Sequence, residues 1–331
     1  MALFISCDWG TSNFRLRLVD SGNQQVLGEV DSPKGIAVMF GEWKDSGADR
    51  IPFYQNFLHQ QIERLRQQLQ IQDLPLIVAG MASSSIGMLE LPYQPVPFGA
   101  TGEDLYHKEI PASDDFGYRI LLVSGVRTAN DVMRGEETQL IGCLSPGDKG
   151  ERIFIFPGTH SKHVRVKDGC ALDFTTYMTG EFFQLLSRKS ILASSVASPA
   201  TQTSLPPSFK PLPPAFKKGV EDSQQSSLLH NVFLVRTHHL FGDWSREDNY
   251  FYLSGLLIGE ELRYLGSADA PLAASAHTPL TIVSAGHLQD YYAAACLHLG
   301  LTDIEMVDAD EALIRGHCKL LDISKTSLPL H

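Results

Sequence analysis

The sequence predicts an α/β protein of two domains, each built on a mixed five-stranded sheet with helices on its faces, with a cleft between them. Three observations carry this expectation. A strand, a Gly-Thr turn and an alternating strand occur near residue 10 and again near residue 158. Each copy is followed by segments with helical periodicity, and each half also holds a short apolar run that reads as a buried parallel strand. At 331 residues the chain exceeds what a single core usually holds.

In chain order, Leu3-Phe4-Ile5-Ser6-Cys7 reads as an apolar strand and Asp8-Trp9-Gly10-Thr11-Ser12-Asn13 as a polar turn. Phe14-Arg15-Leu16-Arg17-Leu18 alternates with the period of a strand, and the turn cluster Asp20 to Asn23 leads into a third antiparallel strand over 25–30. Phe53, Phe57, Leu58, Ile62, Leu65 and Leu69 recur near a 3.6 period and predict a helix over 53–69, followed by a buried strand from Leu74 to Ala79. Residues 118–123 predict another strand. Ile153 to Phe156, the turn Pro157-Gly158-Thr159-His160-Ser161-Lys162 and the alternating His163 to Lys167 repeat the opening design. Asp168-Gly169 then turns into Cys170 to Phe174. Helices are expected over Gly180 to Leu186, Tyr252 to Leu265 and Tyr291 to Leu299, with a buried strand at 280–283. The Ser-, Pro- and Thr-rich stretch from Ser194 to Pro214 reads as a surface loop.

Composition narrows the function classes. With 43% hydrophobic and 20% charged residues, the chain has the make-up of a soluble globular protein. A formal net charge of -11 argues against non-specific binding to nucleic acid or anionic membrane, so any phosphate site must be local. Five scattered cysteines, none in a C-x-x-C pair, point to core thiols in a reducing cytoplasm rather than to disulfides or zinc. No run reaches the length of a membrane span, and Leu3 to Cys7 lacks the basic start of a signal segment. A homodimer is compatible with the sequence.

Gly10-Thr11, with Ser12, and Gly158-Thr159 each place backbone amides and a hydroxyl at a strand reversal, where an anion can approach a glycine unobstructed. Two such turns facing each other would grip a polyphosphate from both sides. Asp8 could hold a hydrated Mg²⁺ beside the first turn, or serve only as an Asx-turn residue. Asp131 is expected at or near a helix N-terminus beside a strand end. There it acts as a general base toward a substrate hydroxyl, or caps the helix together with Asn130. Ser83 and Ser84, in the loop after the strand ending at Ala79, suit hydrogen bonding to a polyol or carboxylate, and a plain polar loop reads equally well. Gly286 lies between a strand and a helix, open to a nucleotide or simply a turn. Glu181 reads first as a helix-capping acid. The chain has neither a Walker A sequence nor G-x-G-x-x-G, which argues against a P-loop enzyme and a nicotinamide-binding unit.

Together, Asp8 to Arg15, Gly80-Met81, Glu90-Leu91-Pro92-Tyr93, Asp131-Val132-Met133-Arg134-Gly135-Glu136-Glu137-Thr138-Gln139, Pro157 to Lys162, Met178-Thr179-Gly180-Glu181 and Ser254 to Gly259 resemble the 2-keto-3-deoxygalactonate kinase family. The family belongs to the actin, hexokinase and Hsp70 superfamily. The resemblance therefore implies two ribonuclease-H-like domains, the first 1–140 plus 310–331 and the second 141–309, with the last helix folding back onto the first. It implies ATP- and Mg²⁺-dependent phosphorylation of the 6-hydroxyl of 2-dehydro-3-deoxy-D-galactonate. Asp8, Gly10 and Thr11 would form the first phosphate loop, Gly158 and Thr159 the second, and Gly286 part of the adenosine site, with Asp131 as base. The loop after Met81 departs from the family pattern. Arg15, Arg127 and Arg134 are the candidates to pair with the substrate carboxylate. A non-catalytic nucleotide- or sugar-binding regulator and a phosphohydrolase on the same scaffold are the alternatives.

Overall fold

The computed structural model describes residues 3–66, 74–197, 212–265, 272 and 278–326. Most of the Ser194 to Pro214 loop lies outside the described residues. The chain forms two compact units: Met1–Lys149 with Asp168–Leu172 and Asp310–His331, and Gly150–Lys167 with Asp173–Ala309.

In the first unit β1 (Leu3–Trp9), β2 (Phe14–Asp20) and β3 (Gln25–Ser32) form the expected antiparallel meander. Helices α1 (Ile36–Ser46) and α2 (Arg50–Arg66) follow. Strand β4 (Leu76–Gly80) then runs parallel to β1, with Trp9 opposite Gly80. The short strands β5 (Gln94–Pro95) and β6 (Phe98–Gly99) precede β7 (His107–Ile110) and β8 (Ile120–Val123), the latter parallel to β4. A hairpin of β9 (Val126–Arg127) and β10 (Val132–Met133) leads to α3 (Glu136–Cys143). The sheet order is β3-β2-β1-β4-β8-β7. Strand β1 is apolar nearly throughout because the sheet is covered on both faces at its centre. Trp9 anchors one face, with ring centroids 5.0 Å from Phe14, 5.6 Å from Tyr54 and 5.4 Å from Phe57, and these aromatic pairs lie beneath the turn that follows β1.

The second unit repeats the plan. Strands β11 (Glu151–Phe156), β12 (Ser161–Lys167) and β13 (Cys170–Tyr177) form the meander. Helices α4 (Thr179–Lys189), α5 (Pro214–Ser223), α6 (Leu228–Phe241) and α7 (Arg246–Leu262) follow, and a capping box of Ser245 and Asp248 opens α7. Strand β14 (Leu280–Ser284) runs parallel to β11, and beyond α8 (His287–His298) strand β15 (Ile304–Asp308) runs parallel to β14. The order is β15-β14-β11-β12-β13. The chain ends in α9 (Ala309–Thr326), whose residues from Asp310 onward belong to the first unit.

Two expectations need correction. Each five-stranded core carries a sixth, short strand: β7 beside β8, and β6 beside Cys170 and Ala171, residues that belong with the first unit. Both are too short, and β7 too polar, to show a strand period in sequence. The expected domain boundary at 140 falls inside α3, and the first unit continues to Lys149. There α3 crosses α9 with almost no side chain between them: a Cβ on Gly142 would stand 1.8 Å from the Ala312 carbonyl oxygen, and one on Gly316 would stand 2.0 Å from that of Thr138. Lys319 Nζ donates to the Ile141 carbonyl (2.7 Å) and to that of Leu144, holding the C-terminal end of α3.

Candidate active site

The first turn is set by the β1-β2 pairing, which closes on Trp9 and Phe14 and on a Gly10 amide donating to the Asn13 carbonyl at 2.9 Å. Its own carbonyls are held by the start of α1: the Ile36 amide donates to Gly10 O (2.9 Å) and the Ala37 amide to Thr11 O (3.1 Å). Gly35 makes this approach feasible, since a Cβ there would lie 2.3 Å from Thr11 O. Thr11, Ser12 and Asn13 are left exposed.

Asp8 is half-buried at the end of β1. Burial pushes its carboxyl up, the Arg15 and Arg17 guanidinium charges oppose that, and Asp310 and Glu136 add to it. Both arginines are themselves engaged. Arg15 Nη1 lies 2.7 Å from Asp310 Oδ1, Arg17 Nη2 lies 2.6 Å from Asp310 Oδ2, and Arg17 Nε lies 2.5 Å from Glu29. Arg15 is thus tied to α9. On the same helix His317 sits wholly buried with Nδ1 2.8 Å from Ser6 Oγ, and burial lowers its imidazole to about 3.

A second cluster in this unit brings together residues from three loops. Ser83, fully buried in the 3₁₀ turn after β4, accepts a hydrogen bond from Arg134 Nη1 at 2.5 Å. The Arg134 guanidinium lies 4.2 Å over the Tyr93 ring, and its Nε is buried without a hydrogen-bond partner. Ser84 is turned instead to its own backbone, donating to Met81 O at 2.7 Å. Arg127 is exposed on β9, opposite Val132.

Asp131 is not at a helix N-terminus, contrary to the sequence expectation. It occupies the tight turn of the β9-β10 hairpin, where its amide donates to Thr128 Oγ1 (3.0 Å) and its Oδ1 accepts the Val132 amide (2.7 Å). Strand pairing takes Val132 and Met133, and the chain reorients at Gly135, φ 113°, before α3 begins. The first-turn acids of α3 are Glu136 and Glu137, which sequence reasoning passed over although a glycine followed by two glutamates is a helix-start signal. Glu136 accepts the Arg134 amide at 3.1 Å and its charge reaches Asp8. Glu137 is fully buried, accepts the Gly135 amide at 2.7 Å, and is pushed up to about 7 by burial and then by Glu136.

In the second unit, Phe156 and Lys162 close the β11-β12 pair around the other Gly-Thr turn. The N-terminus of α4 braces it. The Glu181 amide donates to Thr159 O at 3.0 Å, and a Cβ on Gly180 would stand 2.5 Å from Gly158 O. The Glu181 carboxylate meets His160 Nε2 at 2.5 Å, so it does more than cap the helix. Thr159 is exposed, and a Cβ placed on Gly158 would meet nothing within 4 Å. Gly286, at φ 63°, opens α8 and has the same free space beside it.

These residues fit a nucleotide and a hydrated Mg²⁺. Gly158 and Gly286 offer open backbone surface, and no group of three or more potential metal-ligating side chains gathers among the described residues. Mg²⁺ usually keeps its waters and takes one or two carboxylates plus substrate phosphates, which Asp8 beside an exposed turn can satisfy. No helix among the described residues is long and apolar enough to cross a membrane.

The repeated meander, two parallel strands beyond each, and a Gly-Thr turn at the end of the first strand of each unit define an actin/hexokinase-like fold. Its class here is the phosphotransferases with an alcohol group as acceptor. Residues 8–320 match the 2-keto-3-deoxy-galactonokinase family, and the chain belongs to it. It is 32% identical over 317 residues to a Rhizobium meliloti protein named probable 2-dehydro-3-deoxygalactonokinase, covering 95% of this chain and 94% of that one. It is 30% identical over 324 residues to the Escherichia coli 2-dehydro-3-deoxygalactonokinase, covering 95% and 96%. A Sinorhizobium meliloti crystal structure with a provisional name of the same enzyme superposes with a TM-score of 0.76 at 28% identity, over 99% of this chain and 98% of that one. The chain is a sugar-acid kinase.

Proposed function

We propose that this kinase transfers the γ-phosphoryl group of ATP to the 6-hydroxyl of 2-dehydro-3-deoxy-D-galactonate in the cytoplasm. The observation that carries the acceptor class is Arg134, braced by Ser83 and Tyr93 with a buried Nε lacking an acceptor, on the same hairpin-to-helix segment as Asp131. A guanidinium fork matches a carboxylate, and a bound sugar acid offers the acceptor that is missing. Of the three candidate arginines, Arg15 is engaged by Asp310 and Arg127 is exposed on β9, and the braced guanidinium of Arg134 supports it best as the carboxylate partner.

Asp131 accepts the proton of the 6-hydroxyl as that oxygen bonds to phosphorus and the bond from phosphorus to the ADP oxygen breaks. The amides of Thr11 and Ser12 meet the transferring phosphate beside Gly10, whose own amide closes the turn on Asn13, and Gly158 and Thr159 meet ATP phosphate oxygens. Gly286 leaves room for the adenosine. Asp8 would hold Mg²⁺, which would supply neutralisation of phosphate charge. Ser83 holds Arg134 in place.

A coupled ADP-release screen over 2-keto-3-deoxy sugar acids and simple hexoses tests the reading. Sugar-acid-dependent turnover, greatest on 2-dehydro-3-deoxy-D-galactonate and with the 6-phosphate as product, is expected. ATP consumption independent of added sugar acid would assign a phosphohydrolase instead.

A further inference from the structure

We propose that Glu261, near the end of α7, is the positioning residue of the second Gly-Thr turn. This rests on the reading of Gly158 and Thr159 as phosphate contacts. The Glu261 side chain is 1% exposed, an unusual place for a carboxylate, and four donors converge on it. Oε1 accepts from Ser161 Oγ at 2.6 Å and His163 Nε2 at 2.9 Å, and Oε2 accepts from Tyr292 OH at 2.6 Å and from Thr179 Oγ1. A carboxylate has about four lone-pair sites, so the group is saturated.

The donors are placed where they matter to the turn. Ser161 is the first residue after it, at the start of β12. Thr179 is the first residue of α4, directly before the Gly180 that lies on Gly158 and the Glu181 whose amide holds Thr159. Tyr292 comes from α8, the helix that Gly286 opens. One carboxylate therefore ties the strand that follows the turn and the helix that braces it to the helix that begins at the open glycine. An apolar residue at this buried site would avoid the desolvation cost of a charge; what the carboxylate adds is fixed direction, and preorganised backbone donors depend on that.

The test uses the whole protein with ATP, a non-hydrolysable ATP analogue and the sugar acid. Glu261→Gln keeps the shape but faces two of the donors with an amide NH₂. We expect the KM for ATP and the Kd of the analogue to rise by roughly tenfold, with the sugar-acid KM moving less than about twofold. Thr179→Val should shift the ATP parameters the same way, and Thr179→Ser, which restores the hydroxyl, should return them toward wild type. If Glu261→Gln does not fold, the two Thr179 variants decide. A fall in Tm with both KM values unchanged, or both KM values rising together, overturns the proposal. Gly158→Val separates it from the reading beneath it, because the added bulk enters open space. If that variant binds the analogue normally, the phosphate-turn reading falls and the Glu261 role with it. If Gly158→Val weakens binding while Glu261→Gln and Thr179→Val do not, only the Glu261 role falls.

Discussion

In the first unit, Asp8 stands two residues before Gly10, next to last in β1; two residues before Gly158 in the second unit stands Phe156, 3% exposed. Both units still hold a desolvated carboxylate near the turn, and the two are treated in opposite ways. Burial pushes the Asp8 carboxyl up, and Arg15 and Arg17 oppose that through their charge. Glu261 is filled by four hydrogen bonds and has no lone pair left for one. One backbone plan thus carries the carboxylate we propose as the metal ligand in one copy and the one we propose as a brace in the other, the first facing arginine charge and the second direct donors.

That contrast can be broken or sharpened experimentally. The largest effect is expected at Asp131: Asp131→Asn should lower kcat by roughly 10²–10⁴-fold while ATP binding persists, as for loss of a general base. Near-wild-type turnover would remove Asp131 from that role. Next comes the exchanged position. Asp8→Asn should lower kcat by roughly 10²–10³-fold, whereas Phe156→Leu at its counterpart should mainly cost stability, about 1 kcal/mol by chemical denaturation.

The third effect is one of pH and belongs to the first unit alone. Glu137 titrates at about 7 in the folded protein against an ordinary 4.5. The folded state therefore keeps a proton that the unfolded chain releases, and this contribution to stability is complete below pH 4.5 and is lost as pH rises through 7. Its full size is about 3 kcal/mol. Urea midpoints measured from pH 4.5 to 8 should fall in the wild type relative to Glu137→Gln; parallel curves for the two proteins would refute this.

The smallest effects compare the braces of the two turns. Gly35→Ala and Gly180→Ala each force a Cβ onto a turn carbonyl and should cost about 1–3 kcal/mol. Gly41→Ala, inside α1 with no neighbour near its Cβ, should be stabilising by about 0.5–1 kcal/mol. Thermal shifts of the three variants check this ordering.

Much of the fold was legible. The meanders announced themselves by alternation and by turn clusters, and β4 and β14 by short, wholly apolar runs, because a central parallel strand is buried on both faces. Helices α5 and α6 went unread, α5 because it is short and charged and α6 because its apolar residues surround it without a stripe; Leu229 and Phe241 lie exposed at its two ends. The placing of Asp8, Gly10, Thr11, Gly158 and Thr159 at or beside two strand reversals was legible from spacing, since a turn that needs small residues shows itself locally. Tyr93 entered only through the family resemblance. The Arg134 stack, the Glu136 approach to Asp8 and the Glu261 hub were not visible, because their partners lie tens to hundreds of positions away in the chain.

By itself the sequence determined where strands reverse and where backbone amides stand open, because glycine, hydroxyl and alternation patterns act within a few residues. Tertiary structure alone decided that Asp131 sits on a hairpin, that Arg15 is engaged by α9 while Arg134 is braced on Tyr93, and that Glu261 stands beneath the second turn. Which of several like charges is paired, buried or left open depends on which elements pack together, and that is a property of the folded chain.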